Sequence, residues 1–277
     1  MKIKNFSYTA TPGILLRLAC IMTAAALLSA CSMGQMVVRG SQTILDSGAD
    51  AMNRETDLQL AAAAIPANLK LIEGMLIEDP NNRALLLFAA EGFYGFSYGF
   101  VELEDPARAA LLYRRCQDYA LRALVLDGID IDPRTASEAA LQDALAGAGR
   151  GSVPALFWAA SCLAQEINLN RDKIASIAGL SGAAVLMQRV MELDDAFYHG
   201  GVYLFFGVYY GGRSPMFGGD FARAEQNFQR AAAINDNRLL MVDLLWAEYL
   251  HRQQLDRSAF HTRLVSILDA PDDLYPE

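Results

Sequence analysis

Histidine, cysteine and positive charge are scarce in this sequence, and each scarcity removes a class of function. The three histidines of the 277-residue chain, His199, His251 and His261, stand apart from one another and from the cysteines. With no H-E-x-x-H and no C-x-x-C either, the sequence predicts no metal site. Lysine and arginine number 23 against 32 aspartates and glutamates, a net charge of −9, which speaks against nucleic acid and against an electrostatic hold on anionic lipid. No serine sits in a G-x-S-x-G turn, and the carboxylate pair Glu102 and Glu104 lies beside a turn. The run "GAGRGS" at 147–152 follows an alanine-rich helical stretch, not a strand, and lacks a Gly-Lys-Ser/Thr ending, so it makes no phosphate cradle. "LDGIDIDPR" offers Asp127, Asp130 and Asp132 without the acidic order of a calcium loop; a solvated loop between helices is the better reading. An enzyme is not expected, nor is any cofactor.

What is present begins with a targeting segment. Lys2, Lys4 and Arg17 charge the start, an apolar stretch follows from Leu18, and "LSAC" closes it at Cys31. From Leu18 to Ala30 the run falls short of the ~20 apolar residues that span a bilayer. "LLSAC" resembles the lipobox of bacterial lipoprotein signals, and that resemblance makes Cys31 the lipidated first residue of the mature chain. Buried acyl methylenes contribute ~0.8 kcal/mol each, so more than one chain anchors stably. Ser32 is not the Asp that retains many lipoproteins in the inner membrane, which implies an outer-membrane, periplasm-facing site with membrane contact through the lipid alone. Removal of residues 1–30 leaves 247 residues with 20 basic and 32 acidic side chains, a net charge of −12. Residues 31–56 are weakly patterned and read as a tether; 57–277 form one domain. Cys116 and Cys162 remain in a compartment that allows pairing. Their spacing does not decide, and two small buried thiols is the plainer reading.

Apolar residues recur at three and four nearly everywhere, and no strand is expected. Helices are predicted over 57–78, 83–101, 105–126, 135–147, 152–169, 180–193, 198–212, 219–234, 237–253 and 256–269, with breaks at "EDPNN", "EDPAR", "DIDPR", "RGSVP" and "PMFGGD". The class is all-α. Short connections favour antiparallel helix pairs stacked as a superhelix. An ungapped offset of 115 residues brings Asp79 onto Asp194, Gly92 onto Gly207, Tyr94 onto Tyr209, Asp105 onto Asp220, Tyr113 onto Phe228 and Cys116 onto Ala231, with nine identities over 48 positions. The chain thus reads as an internal duplication, with half repeats at about 57–126 and 172–253. In the second copy Phe206, Gly207 and Tyr210, then Ala224, Phe228 and Ala231, resemble a tetratricopeptide motif; the connecting turn is about five residues longer than that motif allows, and Asp236 replaces its closing Pro.

Within "EGFYGFSYGFVE", a 100° helical rotation puts Gly92, Gly95 and Gly99 on one side, Phe93, Phe96 and Phe100 on the next, and Tyr94 and Tyr98 on the third. Gly200, Gly207 and Gly211 share a face in the second copy, with Tyr203 and Tyr210 beside it and Tyr209 further round. Each glycine row is expected to admit a neighbouring helix closely, leaving the tyrosines for a partner or ligand. Arg213, Met216 and Phe217, in the long connection "GGRSPMFGGD", join them as contact candidates.

The lipobox, "NLKLIEGMLIEDPNNRALLLFAAEGFYGFSYGFVELEDPARAALLYRRCQDYALRAL" and "GVYYGGRSPMFGGDFARAEQNFQRA" together resemble the TRAP transporter TatT component family over roughly 57–270. That resemblance implies a non-enzymatic lipoprotein of tetratricopeptide-like helices that associates with the periplasmic solute-binding protein of a tripartite ATP-independent transporter and passes ligand along an apolar channel. A homo-oligomer is compatible with it. The rival is a tetratricopeptide adaptor for envelope or outer-membrane assembly.

Overall fold

The computed structural model describes residues 33–171, 179–271 and 273–274. The leader, Cys31 and the stretch 172–178 of the second half repeat lie outside the described residues. Among the described residues there are twelve α-helices and no strand: α1 (Met33–Gly40), α2 (Gln42–Asn53), α3 (Leu58–Glu78), α4 (Arg83–Phe96), α5 (Pro106–Leu126), α6 (Glu138–Leu145), α7 (Val153–Leu169), α8 (Leu180–Leu193), α9 (Phe197–Gly211), α10 (Phe221–Ile234), α11 (Leu240–Trp246) and α12 (Arg257–Leu268). Their starts follow capping chemistry. Asp57, Asn82, Asp105, Ser137, Asp220 and Asp256 each accept a backbone N–H two or three residues ahead, satisfying a donor the helix itself cannot.

Helix α5 packs along α4 and α7, α8 packs on α7, and α9 pairs with α10. One large core draws on α4, α5, α7, α8 and α9, and a second gathers Phe228, Trp246 and Leu250. Asp105 caps α5 and Asp220 caps α10, and Ala109, Tyr113, Ala224 and Phe228 are all without exposure.

Four expectations are corrected. Cys116 and Cys162 are not two separate thiols: they form a disulfide joining α5 to α7, with Cα atoms 5.9 Å apart. The spacing carried no sign of this because the pairing is made by helix packing, not by a local motif. The stretch read as a tether contains α1 and α2, and Arg39 of α1 pairs with the buried Asp79 carboxylate at 2.9 Å. The loop after α5 is solvated at Asp130 and Asp132, which are exposed, but packed at Ile129 and Pro133. Its Ile129 is buried, Arg134 reaches Glu166 and Gln117, and the Pro133 carbonyl sits 1.9 Å from where a Cβ on Gly182 would stand.

The fourth correction concerns the first glycine row. A Cβ on Gly92 would meet Leu69 Cδ2 of α3 at 2.7 Å, but Gly95 and Gly99 face open space. At the second set Gly207 and Gly211 share a helix, whereas Gly200 stands in a left-handed turn outside that row, and all three are approached. Gly200 meets Ile234 at 2.9 Å, Gly207 meets the Phe228 ring at 2.6 Å, and Gly211 meets the Tyr249 carbonyl at 2.6 Å. Gly207→Ala is therefore expected to cost about 1–3 kcal/mol through overpacking. Gly95→Ala should hold stability or raise it by up to about 1 kcal/mol, since a helical glycine gives up backbone entropy for nothing there. Urea titration of the two variants checks the contrast, and equal losses would contradict it.

Candidate functional site

Two helices leave α geometry in the same manner. After α4 the chain winds through a π turn at Ser97–Val101, closed by Glu102 N–H to the Ser97 carbonyl; after α11 a second runs over Ala247–His251, closed by Arg252 N–H to the Ala247 carbonyl. An inserted π turn rotates every later side chain off the α register. The first presents Tyr98 and the second Glu248 and Tyr249, and these groups fall within electrostatic reach of one another and of Glu102.

Trp158 and Phe157 of α7 form a floor beside Tyr94 and Tyr198. The Tyr94 ring stacks on Tyr98, with centroids 6.2 Å apart, meets Tyr113 edge-on at 5.5 Å and lies 5.3 Å from Trp158. Tyr198 of α9 closes the rim, edge-on to Trp158 at 4.8 Å, and bonds the Glu91 carboxyl through its hydroxyl. Tyr98 hydroxyl lies 3.4 Å from Met241 Sδ, and Asn168 donates to the Tyr249 hydroxyl at 3.3 Å. The cluster therefore ties the first half to the second through aromatic and hydroxyl contacts.

Tyr198 is held there at a cost. Tyr198, His199 and Gly200 take φ of 49°, 59° and 70°, a left-handed turn at the head of α9. Left-handed geometry costs an L-residue roughly 1–2 kcal/mol. Buried Asn235 offsets part of this by donating to the His199 and Ala231 carbonyls, both at 2.8 Å.

The electrostatics follow from dryness. Burial raises the pKa of Glu91 even though the Tyr198 hydroxyl favours its charged form, and burial likewise raises Glu102 despite a 2.5 Å hydrogen bond from Tyr113. Tyr94, Tyr98 and Tyr198 are pushed upward by desolvation first, so they stay neutral donors. A glutamate whose folded pKa is raised contributes stability below its ordinary value near 4.5 and loses it as pH climbs through the raised one. Wild type should therefore lose stability relative to Glu91→Gln as pH rises above 4.5. Glu73 and Asp79, whose pKa values are lowered, act in the opposite sense but are common to both proteins. Thermal melts across pH check this, and parallel profiles would contradict it.

The tyrosines singled out by pattern divide between two places. Tyr94 and Tyr98 lie in the cluster between the halves. Tyr209 and Tyr210, with Phe206, line an outer cleft of about 380 Å³ against Gln142 and Leu145 of α6 and Val185 and Gln188 of α8. Arg213 lies 3.9 Å above the Tyr209 ring and donates to the Tyr209 carbonyl, while Met216 and Phe217 stand exposed on the next turn, Phe217 by 73%. Tyr203 serves a different end: its hydroxyl donates to Asp195 at 2.7 Å. Pattern reading missed Trp158, Tyr198 and Tyr249. Trp158, one of two tryptophans, was the available sign; the π turn that aims Tyr249 and the left-handed turn that aims Tyr198 leave no periodic trace.

Comparison with known proteins now decides the family: the model of the TRAP transporter T-component matches residues 54–277. The chain belongs to the TRAP transporter T-component family. It is also 25% identical, over 191 residues, to a protein of Treponema pallidum (strain Nichols) described as uncharacterized, a match covering 63% of this chain and 59% of that relative. The T-component thus spans about three-fifths of the relative's length. Among its described residues no cluster of three or more His, Cys, Asp or Glu could hold a metal.

Proposed function

We propose that this T-component is a non-enzymatic, lipid-anchored scaffold, its helix pairs stacked in a tetratricopeptide-like superhelix, that engages the periplasmic solute-binding protein of a TRAP transporter. Family membership is the observation that carries this reading. The outer cleft beside Tyr209, Tyr210 and Arg213, with Met216 and Phe217 next to it, is the surface offered to the binding protein. Exposed aromatic, Met and Arg side chains are enriched where proteins meet. The cluster of Glu91, Tyr94, Tyr98 and Tyr198 between the halves supports a second element, a ligand position in which neutral tyrosine hydroxyls donate hydrogen bonds against aromatic walls. Outer-membrane anchoring follows from Cys31 and Ser32 in the sequence.

Purified T-component should retain the solute-binding protein encoded beside it, and Tyr94→Ala with Tyr209→Ala should weaken retention. Absence of any binding by the wild-type chain would count heavily against the scaffold. The rival, an adaptor for envelope or outer-membrane assembly, is separated by gene neighbourhood: permease genes support transport, secretion or assembly genes the adaptor.

A further inference from the structure

Helix α3 is apolar over a membrane-like length, yet only 17% of its central window is buried in the protein. Its inner face packs Ala61, Leu69 and Leu76 against the domain. Its outward stripe is Leu60, Ala63, Ala67, Leu71 and Gly74, all exposed and all uncharged, spaced three and four apart along the 100° rotation. A surface helix ordinarily turns charge to water on that side. Ile77, 79% exposed, lies at its end, where α1 packs; Gly34 of α1 abuts the Glu78 side chain, and Arg39 pins Asp79. α1 adds exposed Met36 and Val37 to this corner. Helix α2 follows, with exposed Ile44 and no buried residue of its own. A 12-residue helix with so little packing is marginal in water.

We propose that this corner seats on the lipid bilayer, in the leaflet that holds the acyl chains of Cys31. The proposal rests on the lipid-anchoring reading. The chain itself argues for the occupant. Cys31 precedes Met33 by two residues, which span at most about 7 Å, so an anchored Cys31 holds α1 and the end of α3 at the headgroups. At that depth an apolar helix face enters the interface without spanning it. Packing of its inner face on α4 keeps α3 from crossing the bilayer. Lys70 and Arg39 flank the face, each already ion-paired, with Glu73 and Asp79. Because the mature chain is acidic, apolar contact rather than charge drives the seating. The body thereby adopts a fixed pose, with α1 to α3 toward the membrane.

Single cysteines test this, because Cys116 and Cys162 are bonded and the Cys31 thiol carries lipid. Val37→Cys, Leu71→Cys and Ile77→Cys, with Gln226→Cys as an exposed control, are tagged with an environment-sensitive fluorophore in the acylated chain on phosphatidylethanolamine and phosphatidylglycerol vesicles. The expected result is blue-shifted emission, quenched several-fold more strongly by brominated lipid, at 37, 71 and 77 but not at 226. Labels at all positions that remain as wet as 226 on acylated, vesicle-bound protein would overturn the seating while leaving the anchor intact. A concentration-dependent blue shift at 37, 71 and 77 in acyl-free Cys31→Ser protein without vesicles would assign the face to a second copy and overturn it too. Absence of metabolic acyl label on Cys31 would overturn the anchoring reading and the seating together.

Discussion

Replacing Cys116 and Cys162 by alanine is expected to lower stability by about 4 kcal/mol, the chain-entropy value for a loop of this length. The bond joins residues 46 apart in sequence and lies at no exposure between α5 and α7, the most closely associated helix pair of the fold. For a domain of this size each kcal/mol shifts the melting temperature by roughly 2–4 °C, so the double variant should melt on the order of 10 °C lower. Reductant should destabilise wild type by a similar amount and leave the variant unchanged. A variant that melts with wild type, or a wild type indifferent to reductant, would show that the bond does not form. Alanine is preferred to serine because a hydroxyl sealed at either position would add the penalty of an unpaired polar group.

The second large effect is expected at Trp158. Its indole is 2% exposed and touches Tyr94 from the first half and Tyr198 from the second. Trp158→Ala removes the floor of the cluster and should cost about 3–5 kcal/mol. It should also release Tyr198 from its left-handed turn, since the ring contacts that offset the strain are lost. Trp158→Phe keeps an aromatic floor and should recover most of that stability. Near-ultraviolet circular dichroism and denaturant titration read the two effects, and a Trp158→Ala protein as stable as wild type would contradict the placement of this side chain.

Much of the fold was legible in the sequence, and the reasons are local. The long helices carry their own 3.6-residue period, and α3, α4, α5, α10 and α12 also carry an Asp or Asn cap. Asp105 before Pro106 and Asp220 before Phe221 announce their helices without any knowledge of what they pack against. α1 and α2 were not legible because they are short, 8 and 12 residues, and Ser41 is a weak break between them. The 115-residue offset says nothing of neighbours. It aligns Tyr94 with Tyr209, yet one meets Trp158 between the halves and the other lines an outer cleft. Gly95 and Gly99 show the same limit: a glycine row states that a close approach is permitted, and only tertiary packing states whether a neighbour arrives.

The site was legible in its residue types and illegible in its assembly. Glu91, Tyr94, Tyr98 and Glu102 stand together in one twelve-residue stretch. What completes them comes from α7, from a left-handed turn and from a second π turn, three elements separated along the chain by tens of residues. No period links those elements, so only folding brings Trp158, Tyr198 and Tyr249 to the stretch.

Recognition of a periplasmic binding protein is tested most directly by calorimetric titration of the T-component with a TRAP solute-binding protein of the same organism. Saturable binding by wild type is expected, weakened at least about tenfold, or 1.4 kcal/mol, by Arg213→Ala with Phe217→Ala at an unchanged melting temperature. No binding by wild type, or equal affinity in the double variant, would contradict it.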